Sequence, residues 1–403
     1  MGITTQVLRT IPELQRLRHV WEEWQRHPNS DFDFYCTVLS STPAILRPHV
    51  IVLYRDGTPD AMLVGRVETR RMEFRIGYGN LLRPQARTLT VVHGGLLGNS
   101  SAGNCELFVK EILVALRQGE ADIAFFNEVQ ESSTLHRAAK RLPGMFARGH
   151  SAARHTHRSM QVPAGVEALY QGLSSKTRKN QRWQAKKLVQ DHAGKVEVRC
   201  LRHECELDDA IRQVEQIVEK TYHRALGIGF SDSPDMRERL SLQAQKGWLR
   251  IYLLLVEDQP WAFWIGRMYQ HTFHSDFMGY DPANAKYSPG MFLIMKVIEG
   301  FSCGADGESA KEIDFGFGDA QYKQVLGNCE WQESSVHIFA PNLKGLRLHV
   351  LQMPSVLVDR LVRPLLERTN LAKRIKKLWR TWATEREIHI PSPKAAGAGV
   401  GRE

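Results

Sequence analysis

Leu14, Leu17, Trp21 and Trp24 recur at the spacing of one helical face and predict an amphipathic helix at the start of the chain. A second short helix is expected at Phe32 to Ser41. Apolar, β-rich runs from His49 to Glu68 and from Arg70 to Gly79 then flank the turn formers Asp56 and Gly57, the pattern of a β-meander. A strand near Leu89 to Val92, a helix from Cys105 to Gly119 and a covered strand from Ala121 to Val129 complete this first pass.

A second pass begins at Arg158, with a strand to Val162, a helix from Gly165 to Gln190, a strand from Lys195 to Cys200 and a helix from Leu207 to Arg224. The two halves read as a structural duplication. From Trp248 to Asp281 three β-rich runs are separated by Asp-Gln-Pro and Gln-His. A helix from Ser288 to Phe301 and a strand from Lys311 to Phe317 follow, which adds a right-handed crossover to the sheet. The class is α+β.

At 403 residues, with 42% hydrophobic and 24% charged positions, the chain is an ordinary globular protein large enough for two cores. The pattern divides it into units at 1–157 and 158–343, basic helices at 344–390 and a small, polar tail at 391–403. A net charge of +10 favours polyanionic partners such as CoA, RNA or an acidic membrane face. No apolar core follows the N-terminus and no run approaches the length of a membrane span, so a soluble or peripheral protein is expected. Six scattered cysteines without CxxC spacing suit a reducing cytoplasm.

The junction from Gly279 to Leu293 carries the strongest local signal. Ser288 is a preferred N-cap, Pro289 suits the first helical position, and Gly290 leaves the backbone open to close approach. The N–H groups of Gly290 to Leu293, beside Lys286, make a helix end that serves either as an anion site or simply as a helix start. Further on, an apolar strand ends at Asp314 and is followed by two glycines, Asp319, Tyr322 and Lys323. Polar groups at a strand's C-terminal end sit where open sheets hold ligands. Lys323 could balance charge on a tetrahedral intermediate while Asp314 or Asp319 orients an amine or accepts a proton; a plain glycine turn fits the same residues.

These two stretches in succession resemble the C-terminal signature of the BioF2-like acetyltransferase family, which includes CelD-type cellulose-biosynthesis proteins and is related to the Fem peptidyltransferases. The shared elements are a strand ending Gly279-Tyr280-Asp281, the helix start Tyr287-Ser288-Pro289-Gly290, and the turn running from Asp314 to Tyr322-Lys323. Upstream, the basic stretch from Leu169 to Leu188, with Arg178-Lys179-Asn180, is similar to the family's basic helix.

The resemblance implies tandem GNAT-like units, each a mixed, mostly antiparallel sheet flanked by helices. It also implies transfer of an acyl group, acetyl first among them, from acyl-CoA to an amine or hydroxyl on a small molecule or glycan. Cell-envelope or polysaccharide biosynthesis is the expected setting, in the cytoplasm or at the inner face of the membrane. By position, Lys323 matches the Fem-like lysine near the transferring group. Tyr322, Asp319, Asp314 and Asp276 complete the candidate catalytic set, and Lys286, Tyr287, Ser288, Gly290, Met291 and Arg178 are candidates for holding CoA. The Gln/Arg-x-x-Gly-x-Gly/Ala loop of ordinary acetyl-CoA enzymes is missing, so CoA is inferred. Aminoacyl-tRNA is the donor under a Fem-like alternative, and a non-catalytic binding module is a third reading.

Period-two alternation would turn Asp276 and Tyr280 into one crevice. Between Glu167 and Asp191 there are six basic residues and no acid, with Arg178, Arg182 and Lys186 on one face, either an anion-binding stripe or a solvated one. The basic C-terminal helix either packs on its own protein or rests on an anionic membrane. His155 and His157 lack partners at ligand spacing and read as loop residues, so no metal is expected. Cys200 and Cys205 read as buried thiols, and His274, Ser275 and Asp276, neighbours on one strand, cannot form a triad.

Overall fold

The computed structural model describes residues 2–72, 74–76, 79–82, 84–149, 154–221, 229–304, 309–318 and 320–353. It opens with a strand absent from the sequence expectation, β1 (Ile3–Leu8). The first amphipathic stretch is two helices, α1 (Ile11–Gln15) and α2 (Arg18–Trp24), the former fixed by a capping box between Thr10 and Glu13. In α3 (Phe32–Ser41), which the pattern located, the Asp31 carboxylate accepts from the N–H groups of Asp33 and Phe34.

The meander is β2 (Ile45–Arg55), β3 (Thr58–Arg71) and β6 (Gln85–Gly98), interrupted by a small hairpin of β4 (Phe74–Ile76) and β5 (Gly79–Leu82). After it come α4 (Ala102–Arg117), β7 (Ile123–Gln130), α5 (Thr134–Arg141) and β8 (Arg154–Gln161). The basic segment forms α6 (Val166–Gln171) and α7 (Ser175–Asp191), separated at Gly172 to Ser174, where Ser174 caps the second helix.

The second half continues with β9 (Val196–Leu201), α8 (Leu207–Val218), α9 (Pro234–Gln245), β10 (Leu249–Val256), β11 (Gln259–Tyr269) and β12 (Thr272–Tyr280). It closes with α10 (Pro289–Cys303), β13 (Glu312–Phe317), α11 (Gln321–Leu326) and β14 (Cys329–Phe339). A helix over residues 343–353 begins the basic C-terminal segment. The rest of that segment and the tail at 391–403 lie outside the described residues. Cys200 is half-buried and Cys205 exposed, contrary to the expectation of buried thiols.

All strands except β4 and β5 join one sheet in the order β1-β2-β3-β6-β7-β14-β8-β13-β12-β11-β10-β9. The duplication is visible in it: each half supplies antiparallel strands, then a helix, then a parallel strand, β6–α4–β7 and β12–α10–β13. The halves also exchange their last strands. β14, from the second half, pairs with β7 of the first, while β8 pairs with β13, and β14 and β8 pair with each other. The expected division at 157/158 therefore falls inside β8.

One face of the sheet packs on α4 and α5 in the first half and on α6, α7 and α10 in the second. The other packs on α1 to α3 and on α8 and α9. The parallel pair β12/β13 is short: only Thr272 to His274 pair with Glu312 to Asp314. β12 then runs on to Tyr280 without a β13 partner, so the sheet opens beside the start of α10.

Candidate active site

The opening is shaped by the end of β13. Gly316 and Gly318 have φ of 70° and 110°, values open to glycine at no steric cost. Gly316 can thus turn its N–H back to Asp314 Oδ1 at 2.7 Å. The same carboxylate accepts from His157 Nε2 at 2.6 Å and from His274 Nδ1 at 3.2 Å.

Strand exchange extends this contact into a row of ionisable groups across five adjacent strands: Glu128 on β7, Glu333 on β14, His157 on β8, Asp314 on β13 and His274 on β12. His157 Nδ1 stands 3.0 Å from Glu333 Oε2, and its ring stacks on Trp331 with centroids 4.3 Å apart. Trp331 Nε1 donates to the other Glu333 oxygen at 2.8 Å. Glu128 sits at φ 47°, a left-handed conformation in a strand, and its carbonyl accepts from His93 Nδ1 at 3.0 Å. With the proton placed on Nδ1 by that contact, the neutral form of His93 carries its lone pair on Nε2. His27 lies beside both His93 and His274, at centroid distances of 4.8 and 5.0 Å.

Burial and pairing set the charges. Burial opposes protonation of His157, but the hydrogen bond to Asp314 and the neighbouring Glu333 carboxylate prevail and raise it to about 9. Burial likewise opposes ionisation of Asp314, yet hydrogen bonds from His157 and His274 hold it well below the usual carboxylate range. Glu128 is pushed up to about 7 by burial and by the Glu333 charge. Burial lowers Lys323 to about 8 against the pull of Asp314 and Glu128. Burial, with the Arg267 charge nearby, holds His27 well below its ordinary value. Such shifted groups, gathered at an opening, are the expected furniture of proton-transfer chemistry.

Two sets, His27/His274/Asp314 and His93/Glu128/Glu333, have ligand atoms within 4.8 Å of one another. In the first, His27 Nδ1 accepts the Asn29 N–H at 3.1 Å, so the neutral ring presents Nε2–H rather than a lone pair, and Asp314 is already engaged at both oxygens. In the second, Glu333 is paired with the His157 imidazolium. Ion pairing and hydrogen bonds thus account for the charges of Asp314 and Glu333.

Of the residues expected from sequence, Asp314, Tyr322 and Lys323 come together. Lys323 Nζ donates to the Phe317 carbonyl at 2.7 Å, beneath the glycine turn, and Tyr322 packs edge-on against Phe315. Asp319 lies outside the described residues. Asp276 and Tyr280 do not share a crevice: Ile265 pairs with Phe277 but Gly266 with Ser275, so Asp276 is the extra residue of a β-bulge and alternation breaks there. Asp276 turns to Arg267 at 2.8 Å, on the α9 face, whereas Tyr280 lies against Gly290 on the α10 face.

At the start of α10, Ser288 occupies the N-cap position but is left-handed, with φ 51° and ψ 52°, and makes no capping bond. Its hydroxyl accepts from Gln184 Nε2 of α7 at 2.8 Å instead. Tyr287 is buried, its hydroxyl donating to Asp191, and so ties α7 to the helix start; Lys286 is exposed over the Tyr287 ring. Gly290 and Met291 are half-buried in the first turn, whose N–H groups have no partner within the helix. On α7, Gln181 and Gln184 rather than a basic stripe face α10; Arg178 is half-buried and Arg182 turns to the Tyr170 ring and Glu167.

Sequence reasoning missed Glu128, Glu333, His93 and His27 and placed His157 in a loop; it lies on β8, buried. The period-two placement of Trp331 and Glu333 marks β14 as a strand, yet nothing local says that it sits between β7 and β8.

Residues 175–324 match the family model described as acetyltransferase (GNAT) domain. No curated protein matches the chain in sequence. The crystal structure of FemX superposes with a TM-score of 0.54 at 10% identity, over 84% of this chain and 97% of that one. A tandem GNAT protein from the clavulanic acid biosynthesis pathway superposes at 0.47 and 10% identity, over 85% and 99%. The likeness to FemX is one of fold. The chain has the α+β GNAT fold in tandem units, and its residues 175–324 carry the match to the acetyltransferase domain.

Proposed function

We propose that the chain is an acyltransferase that moves an acyl group, acetyl first among them, from acyl-CoA to an amine or hydroxyl acceptor. The observation that carries this reading is the parting of β12 from β13 beside the start of α10, inside the segment that matches the GNAT domain. The N–H groups of Gly290 and Met291 would receive the CoA diphosphate, with Arg178 and Lys286 at the rim. The thioester would lie in the opening, where Lys323 and backbone N–H groups balance the oxyanion. His93, with Nε2 free, takes the proton of the attacking amine or hydroxyl as its bond to the carbonyl carbon forms. The C–S bond then breaks and the proton returns to the thiolate leaving group. His157, already protonated, acts by fixing Asp314 and the row around it.

The resemblance to CelD-type and Fem proteins supports an acceptor from cell-envelope or polysaccharide biosynthesis, met in the cytoplasm or at the inner face of the membrane. Among the described residues no helix is long and apolar enough to cross a membrane. The exposed basic residues of α7 favour the second reading, aminoacyl transfer from tRNA.

Calorimetric titration of the full chain with acetyl-CoA, CoA and aminoacyl-tRNA separates these readings. The expected result is binding of acetyl-CoA and CoA, with hydrolysis or transfer reduced in Lys323→Met while CoA affinity is kept. Salt-sensitive tRNA binding without CoA binding moves the chain to the Fem-like reading. CoA binding with no turnover on any amine or hydroxyl makes it a binding module.

A further inference from the structure

A cavity of about 280 Å³ lies on the α9 face of the sheet, between α3 and β6 of the first half and α9 and β12 of the second. Arg66, Arg239 and Arg267 reach it from β3, α9 and β11, and Gln243, His93 and Asp276 are among its other polar lining residues.

Each guanidinium leans on one carboxylate: Arg66 on Glu68 at 2.8 Å, Arg239 on Asp235 at 3.1 Å and Arg267 on Asp276 at 2.8 Å. A guanidinium carries five N–H donors, so one carboxylate does not use them all. Arg239 adds a bond to Thr42 Oγ1 and Arg267 one to Asn29 Oδ1. The Nε groups of Arg239 and Arg267 and the Oε1 of Gln243 are nevertheless buried with no hydrogen bond within the chain. The Arg267 side chain is 7% exposed and Gln243 4%, so these two are interior groups, while Arg239, 25% exposed, stands nearer the mouth. Burying a donor without an acceptor is costly, and the two arginines that carry such a donor both line the same small space. Two guanidinium forks with free N–H groups match the planar or tetrahedral oxygens of an oxyanion.

The same cavity reaches His93, whose Nε2 lone pair is free, and through Asp276 it borders the stretch of β12 that has parted from β13. α10, proposed above to hold the acyl donor, lies on the other face of the sheet. A molecule in the cavity therefore approaches the opening from the side opposite the donor. At about 280 Å³ the space suits one sugar ring or a comparable small group, near the lower limit of ordinary ligand sites.

We propose that this cavity receives the acceptor, and that the acceptor bears a carboxylate or phosphate held by Arg239 and Arg267, with its nucleophile turned to His93. That the ligand is the acceptor rests on the acyltransferase reading; that the cavity binds a small oxyanion does not.

The test is calorimetric titration of the full chain, saturated with CoA, with three probes: inorganic phosphate, glucuronate and glucose. The anionic probes are expected to bind and glucose to fail. Arg239→Gln is expected to weaken the anionic probes about tenfold or more, the usual loss for a hydrogen bond to a charged group. Met236→Phe, which fills the cavity without touching its charges, is expected to do the same, so the proposal stays testable if either variant fails to fold. Whether phosphate or glucuronate binds more tightly identifies the oxyanion. Equal binding of glucose, no binding of either anion, or unchanged affinity in both variants overturns the proposal. CoA affinity of the variants is expected to be unchanged. Anion binding without any CoA binding leaves the cavity standing and removes the acyltransferase reading; CoA binding without anion binding does the reverse.

Discussion

His157 and Asp314, 157 residues apart in the chain, meet at 2.6 Å between Nε2 and Oδ1, because the strand after α5 leaves its own half and pairs beside β13. With Glu333 on the other side of the ring, the imidazole is held as a cation between two carboxylates. A histidine raised in the folded state contributes stability that is complete below its unfolded value, near 6.5, and is lost as pH rises through about 9. Thermal stability is therefore expected to fall between pH 6.5 and 9.5 by more in the wild type than in His157→Gln. The difference between the two curves cancels the opposite titration of Lys323, to first order. Parallel curves across this range would show that the pair does not form.

Glu128 gives a shift of the same direction for a different reason. Its carboxyl is raised to about 7 by burial and by Glu333, so ionisation costs the folded state stability as pH rises from the ordinary carboxylate value, near 4.5, to about 7. Glu128→Gln keeps the shape and removes the titration. The variant is expected to melt higher than the wild type at pH 8, with the advantage shrinking toward pH 5, as followed by circular dichroism. An advantage of equal size at both values would show that ionisation of Glu128 is not its cause.

Much of the fold is legible in sequence because it is local. The 3.6 and 2.0 periods locate α3, α4, α10 and the strands β10 to β13, and Asp-Phe-Gly-Phe-Gly marks the turn at the opening. What is not legible is set by partners distant in sequence. The exchange of β8 and β14 has no local signature, so His157 appears partnerless in sequence although Asp314 and Glu333 flank it. Asp276 fails in another way: a bulge inserts one residue and reverses the side chains beyond it, which alternation alone cannot foresee. Ser288 shows a third failure, since the residue type suits a cap while its left-handed backbone and its bond to Gln184 direct the hydroxyl elsewhere.

Gly94 makes room for His27 by what it lacks. It has φ 72°, and a Cβ there would stand 2.5 Å from His27 Cβ, closer than carbon atoms approach without displacement. Gly94→Ala must move His27, which lies against His93 and His274. Gly57 is a fair control, with φ 84° and open space around its missing Cβ. Gly57→Ala is expected to cost about 1–2 kcal/mol, the strain of a left-handed non-glycine residue. Gly94→Ala is expected to cost clearly more in urea unfolding, and equal losses would mean that His27 gives way freely.

Gly290 tests the donor site without threatening the fold. Its missing Cβ would meet Tyr280 Cδ1 at 3.4 Å, an ordinary contact, so small side chains fit. An aspartate in the first turn of α10 complements the helix dipole and is expected to leave stability unchanged or raise it by about 0.3–1 kcal/mol. The same charge would repel a diphosphate from the N–H groups of that turn. Gly290→Asp is therefore expected to keep its melting temperature and lose CoA binding, while Gly290→Ala keeps both. If the aspartate variant binds CoA as tightly as the wild type, the diphosphate does not lie at the start of α10.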